Sequence, residues 1–134
     1  MIPPCFYRVS VKSLILDEQN CFLLAKEQDG KWDIPGGGLE FGENPIIALR
    51  REILEELGLV LTILDTKPMF VTTYNKQGTD AWVANIFYKS SLSSLDFKPS
   101  DECIELQFFS ASQALNLKNN GGVTAIAKEL SKTV

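Results

Sequence analysis

Histidine does not occur in this chain. Its absence removes Ser-His-Asp and Cys-His nucleophilic machinery and every histidine-ligated metal site. Any general base must then be a carboxylate, a lysine, a tyrosine or metal-bound hydroxide. Cysteine is sparse: Cys5, Cys21 and Cys103 are odd in number and far apart, which excludes a disulfide framework or a zinc-knuckle spacing. They are expected to be mostly buried free thiols in a reducing compartment. No apolar run is long enough to span a bilayer, and Met1-Ile2-Pro3-Pro4 lacks the basic start and long apolar run of a secretory leader. The expectation is a cytoplasmic protein without a membrane partner. Basic residues are scattered, 13 Lys and Arg against 17 Asp and Glu, for a net charge of −4. That balance argues against a nucleic-acid polymer as partner. Small phosphorylated ligands remain open where metal ions bridge the two anions.

What is present suits one globular domain over residues 1–134, with 45% apolar and 22% charged residues. Residues 7–16 are rich in Val, Ile and Leu and predict a strand. Residues 17–20 predict a turn and 21–25 a returning strand. Asp29-Gly30 marks a further turn, and Trp32-Asp33-Ile34 leads into a loop at Pro35-Gly36-Gly37-Gly38. Beyond a central helix, strands are expected at 60–64, 69–74, 81–88 and 104–109. A turn falls at 76–78 and a polar linker at 90–94. Ser110-Ala111-Ser112-Gln113 has the form of a capping box opening a short helix. Asn119-Asn120-Gly121-Gly122 breaks the chain before a terminal helix at 124–130. Strands and helices alternate without a regular βαβ period, which favours an α/β (α+β) fold with a mixed sheet between helices.

The central helix has clear ends: Asn44 as N-cap, Pro45 at the first helical position and Gly58 at the stop. At 100° per residue, Ile46, Ile47, Leu49, Ile53, Leu54 and Leu57 form one broad arc expected to face the core. Glu52, Glu55 and Glu56, at i, i+3 and i+4, are expected on the opposite side. Carboxylates so close repel unless a cation lies among them, and all-oxygen ligation suits Mg²⁺ or Mn²⁺. Arg51, four residues before Glu55, is placed to orient that carboxylate. Arg50 is expected to bury its stem and send its head to solvent.

Together these residues satisfy the pattern G-x5-E-x7-R-E-U-x-E-E-x-G-U, with U bulky and apolar. Gly37, Glu43, Arg51, Glu52, Ile53, Glu55, Glu56, Gly58 and Leu59 fill every specified position. The chain thereby resembles the Nudix hydrolases, the MutT-related family, and the likeness extends over most of its length. The resemblance implies an α/β/α sandwich whose box, Gly37 to Leu59, forms a loop-helix-loop metal platform. It further implies cleavage of a pyrophosphate bond in a nucleoside diphosphate-linked substrate, with Mg²⁺ or Mn²⁺ as cofactor. Carried over by position, Glu52, Glu55 and Glu56 would be metal ligands, with the Gly37 carbonyl a further one. Arg51 would orient an acidic side chain, and Glu43 would support the loop or a water-bridged metal. Glu102 and Glu105 match only loosely the place where family members recruit another acidic residue. With no histidine, the base role goes first to a box glutamate and then to Glu102 or Glu105.

Outside the box the sequence is quiet. Lys26 is a candidate phosphate contact, Tyr74 and Trp82 are candidates for base stacking, and Asn119 and Asn120 for reading a base edge. Each also has a plain structural role available: surface lysine, strand aromatic, helix-breaking turn. ADP-ribose-type members carry a proline after the box where Asn75 stands here, and Pro68 falls too early. Tyr74 falls slightly early for the tyrosine of dinucleoside-polyphosphate members. Compact size favours a nucleoside triphosphate pyrophosphohydrolase yielding NMP and pyrophosphate. Dinucleoside polyphosphates, nucleotide sugars or ADP-ribose are alternatives, as is a nucleotide-sensing domain without turnover. The partner expected is a small nucleotide; the oligomeric state is left open, a homodimer included. If the carboxylates serve a metal, excess chelator abolishes hydrolysis and added Mg²⁺ or Mn²⁺ restores it; a phosphate-release assay that proceeds under chelation contradicts the reading.

Overall fold

The computed structural model describes residues 5–132; the leader reading at Met1-Ile2-Pro3-Pro4 lies outside them. Two sheets form the middle of the molecule. The larger joins β1 (Arg8–Leu14), β4 (Gly36–Gly38), β5 (Leu61–Ile63), β6 (Phe70–Asn75) and β7 (Trp82–Leu92). β1 runs parallel to β7, while β4, β5 and β6 pair antiparallel with their neighbours, so the sheet is mixed as expected. The smaller sheet, β2 (Phe22–Lys26) between β3 (Trp32–Asp33) and β8 (Glu105–Phe109), is antiparallel and was not foreseen as separate. Helix α1 (Pro45–Leu57) covers one side, and α2 (Ala111–Ala114) and α3 (Gly122–Ser131) pack on the other.

Strand alternation explains the two cores. In β2, Leu23 and Ala25 point toward α1, while Phe22 and Leu24 point toward α3. In β1, Val11 joins the first core and Leu14 the second. A strand buried on both faces reads as a continuous apolar run, which is what residues 22–25 present.

The local expectations at the helix ends hold. Asn44 Oδ1 accepts from the Ile46 and Ile47 N–H groups at 3.0 and 3.1 Å, and Gly58 closes the helix at φ 68°. The Ser110–Gln113 capping box is formed in both directions. Other expectations need correction. The glycine loop at 36–38 is a short strand, because its backbone pairs with β1. The polar linker at 90–94 begins as strand, since β7 continues to Leu92 and pairs with β5; the buried Ser90 hydroxyl donates to the Tyr88 carbonyl at 2.8 Å. Of the three free thiols only Cys103 is buried; Cys5 is exposed and Cys21 half-buried. Burial pushes the Cys103 thiol up to about 11.

The largest correction concerns α1. Ile47 and Leu54 are exposed, and Arg50 is exposed beside Leu54 and Val60. Glu56 is buried at 7% exposure among Ala48, Leu49, Ile53 and Leu57. The helix is therefore rotated so that Glu56 stands near the centre of its inner face, and the three glutamates do not share an outer one. Hydrophobic patterning alone could not place it, because the turn is set by what Glu56 meets underneath. Among the described residues no helix is long and apolar enough to cross a membrane. Replacing Asn44 by Ala removes the acceptor for two helix N–H groups; urea unfolding should show a loss of about 1 kcal/mol, and no loss would mean the cap is idle.

Candidate functional site

β4 brings the glycines under α1. Ser13 fixes the approach, its N–H and hydroxyl both donating to the Pro35 carbonyl at 2.9 and 3.0 Å. Gly36 adopts φ 145°, and a methyl group there would collide with the Val11 carbonyl and the Lys12 backbone. A methyl on Gly37 would run into the Glu52 carboxylate. Only glycine lets this backbone come so close to two acidic side chains. The Gly36 N–H donates to Glu56 Oε2 at 3.4 Å.

Arg51 organises the outer carboxylates. Its Nε and Nη2 donate to Glu43 at 3.0 and 3.1 Å, and its Nη1 donates to Glu52 at 3.1 Å and Glu55 at 3.2 Å. Glu43 in turn accepts from the Glu40 N–H at 3.2 Å, tying the loop to the helix. The hydrogen bond with Glu43, above all, holds the Arg51 guanidinium firmly in its charged form. Beneath the helix, Lys12 is buried on β1, with Nζ 3.3 Å from Asp33 and 3.2 Å from the Ile34 carbonyl. Burial alone would push the Lys12 ammonium down, but Asp33, Glu56 and Tyr74 outweigh it and its pKa lies above the ordinary value. Burial pushes the Glu56 carboxyl up to about 8, against the opposing pull of Lys12 and the Gly36 N–H; Asp33 and Glu102 push the same way as burial. Glu52 is raised too, by burial first, with Arg51 opposing.

These groups open on a cleft of about 630 Å³. Of the residues singled out by sequence, Gly37, Glu52, Glu56, Tyr74, Glu102 and Asn120 line it. Asn120 Oδ1 accepts there from Lys31 Nζ at 3.0 Å. The others stand outside. Arg51 and Glu55 lie on the outer flank of α1. Glu105 is exposed on β8 opposite Lys26, whose ammonium sits 5.8 Å from the centre of the Trp32 ring. Trp82 is half-exposed and meets Tyr7 edge to face at 6.2 Å. The Asn119 side chain caps the chain locally, bonding the Leu117 carbonyl, Thr124 and the Gly121 N–H. Sequence reading passed over Lys12, Asp33 and Glu27, which also line the cleft. The signal for Lys12 was a lone charge within the strand run Val11-Lys12-Ser13-Leu14, at an inward position.

The donors fit a hard divalent cation. They are oxygens only, and Glu56 carries a carboxylate at depth with one long backbone hydrogen bond. Among the described residues no three acidic side chains are gathered around one point. Arg51 draws Glu52 and Glu55 to itself, away from Glu56.

The NUDIX domain family matches residues 6–129, and the chain belongs to that family. The nucleoside triphosphatase NudI of Salmonella arizonae is 43% identical over 60 residues, a stretch covering 40% of this chain and 43% of that protein. The match thus spans less than half of the curated relative. The MutT protein from Methanosarcina mazei Go1 has a TM-score of 0.75 at 24% identity, over 98% of this chain and 95% of that one. A C. elegans Ap4A hydrolase in a binary complex has a TM-score of 0.69 at 18% identity, over 94% and 96%. Both structural likenesses speak for the fold.

The raised Glu56 carboxyl has a consequence for stability. The native state keeps a proton at pH values where the unfolded chain has lost it, so its contribution is full below the ordinary carboxylate range and is lost as pH rises through about 8. In chelator, the melting temperature of the wild type should fall from about pH 5 to 8, and Glu56→Gln should flatten that fall. Glu52 and Glu27 shift in the same direction and leave a residual slope. An identical slope in wild type and variant contradicts the assignment.

Proposed function

We propose that this chain hydrolyses a pyrophosphate bond in a nucleoside diphosphate-linked substrate, with a nucleoside triphosphate giving NMP and pyrophosphate as the favoured case. The observation that carries the reading is the cleft itself. Glu52, Glu56 and the Gly37 backbone meet there with the basic side chains Arg8, Lys12 and Lys76. Carboxylates and cations lining one cleft suit a polyphosphate that arrives with a metal ion. The 43% identity over 60 residues with a nucleoside triphosphatase supports the substrate class.

In this reading Glu52 and Glu56, with the Gly37 carbonyl, would hold Mg²⁺ or Mn²⁺, and Glu55 would join them on leaving Arg51. A cation held there would supply charge neutralisation for the diphosphate and a more acidic water. Arg51 acts through the carboxylates it holds and is a positioning residue. Arg8 binds phosphate oxygens through its planar guanidinium and Lys76 as a point charge. Lys12 keeps Asp33 and the Ile34 carbonyl in place below them. For the proton of the attacking water, Glu102 is better placed than Glu105, because Glu102 lines the cleft and Glu105 does not. Tyr74 in the cleft wall keeps dinucleoside polyphosphates as a second reading.

A panel of nucleoside triphosphates, dinucleoside polyphosphates, nucleotide sugars and ADP-ribose, with products identified, tests the proposal. A nucleoside triphosphate yielding NMP and pyrophosphate is the expected best substrate. Binding without turnover of any compound would instead make the chain a nucleotide sensor. Glu52→Gln and Glu56→Gln should each lower kcat by about 10²–10⁴-fold with the circular-dichroism spectrum unchanged. Near wild-type rates in either would remove that residue from the site.

A further inference from the structure

The sheet face that floors the cleft carries a polar row that the proposed chemistry leaves unused. Ser10 of β1, Asn85 of β7 and Thr72 of β6 are partners across three adjacent strands, so their side chains stand side by side on one face. Asn85 is completely buried, and neither its amide nitrogen nor its amide oxygen meets a hydrogen-bond partner among the described residues. The buried Thr72 hydroxyl is in the same condition. Elsewhere in this sheet the rule of satisfied burial is kept: Lys12, Ser13 and Ser90 all have partners. A strand position that needed only packing would carry Leu or Val, since a buried amide without partners is a standing cost.

The unpaired Asn85 amide adjoins residues of the cleft wall, and Thr72 borders a neighbouring groove that shares Tyr74 with it. Ser10, Tyr74 and Val83, which surround Asn85 along and across the strands, line the cleft. At the start of α3, a methyl group on Gly122 would approach the Asn85 amide nitrogen at 3.2 Å and the Tyr74 ring at 3.1 Å. Asn85 and Tyr74 therefore meet at the same bare stretch of backbone, with Tyr74 on the cleft side. The Tyr74 ring makes no aromatic pair among the described residues and packs on the Gly121–Gly122 backbone.

We propose that Asn85, with Thr72 beside it, reads the base edge of the nucleotide once the Tyr74 ring turns aside, and so determines base specificity. The assignment rests on the nucleotide reading given above. A carboxamide offers one donor group and one acceptor, which matches a base edge presenting an acceptor beside a donor. Arg8 and Lys12 flank Ser10 along β1, but Lys12 is engaged by Asp33 and the amide itself carries no charge to attract a phosphate. The displaced Tyr74 ring supplies an apolar face for the base to lie against.

Asn85→Leu and Thr72→Val keep volume and remove the polar groups. kcat/KM is measured for ATP, GTP, CTP and UTP with Mg²⁺ in wild type and both variants, with melting curves to verify folding. The wild type should spread these four by about tenfold or more, and the spread should collapse in both variants, chiefly through a rise in KM for the preferred base. If Asn85→Leu does not fold, Thr72→Val carries the comparison. A spread unchanged in the folded variants overturns the assignment. So does a wild type that turns over all four alike, although that result leaves the nucleotide reading standing. A wild type that turns over none of the four removes this assignment and the nucleoside triphosphate case, while the wider substrate panel decides the pyrophosphate-bond reading.

Discussion

A carboxylate buried in the middle of a helix face is the constraint around which the rest is arranged. Glu56 lies among Ala48, Leu49, Ile53 and Leu57, where an amphipathic helix would carry another leucine. Burying a carboxylate is costly unless it is protonated, paired or coordinated. The surroundings address that cost in three ways. The Gly36 N–H points at the carboxylate, Lys12 supplies a buried positive charge nearby, and the carboxyl holds its proton up to about 8. Each answer imposes a demand in turn. The first requires glycine at 36; the second needs Asp33 and the Ile34 carbonyl to hold the ammonium.

Arg51 solves the complementary problem on the outside of α1. Glu43, Glu52 and Glu55 would repel one another, and a single guanidinium distributes its donors over all three. Exposed ion pairs of this kind add little stability, so their worth lies in placement. Arg51 also ties the loop after β4 to the helix through Glu43 and its bond from the Glu40 N–H. The loop, the helix and the strand beneath thus share one set of charges. That coupling explains why a motif of nine positions, spread over 23 residues, reads as a unit.

The parts legible in sequence were those decided locally. Helix ends at Asn44 and Gly58, and the capping box at Ser110, follow from backbone chemistry within four residues. The mixed sheet followed from the pattern of strands, and the box from its spacing. What was not legible depended on partners far along the chain. The rotation of α1 that buries Glu56 and exposes Ile47 and Leu54 depends on β1 and β4, which no helical wheel contains. The separate small sheet arises because β2 (Phe22–Lys26) pairs with β8 (Glu105–Phe109), far along the chain. Lys12 and Asn85 were missed for the same reason, since a polar residue inside a strand declares its face only after the neighbours are known. The candidates outside the box divided accordingly: Tyr74, Glu102 and Asn120 reach the cleft, whereas Lys26, Trp82, Asn119 and Glu105 are turned to other neighbours.

The central claim is that the buried Glu56 is kept for a cation. Anomalous diffraction from crystals of the protein soaked in Mn²⁺ tests it most directly. The account predicts an anomalous peak within coordination distance of the Glu52 and Glu56 carboxylates. Under the same soak, full anomalous occupancy elsewhere, with Glu56 still turned to Lys12 and the Gly36 N–H, would contradict it.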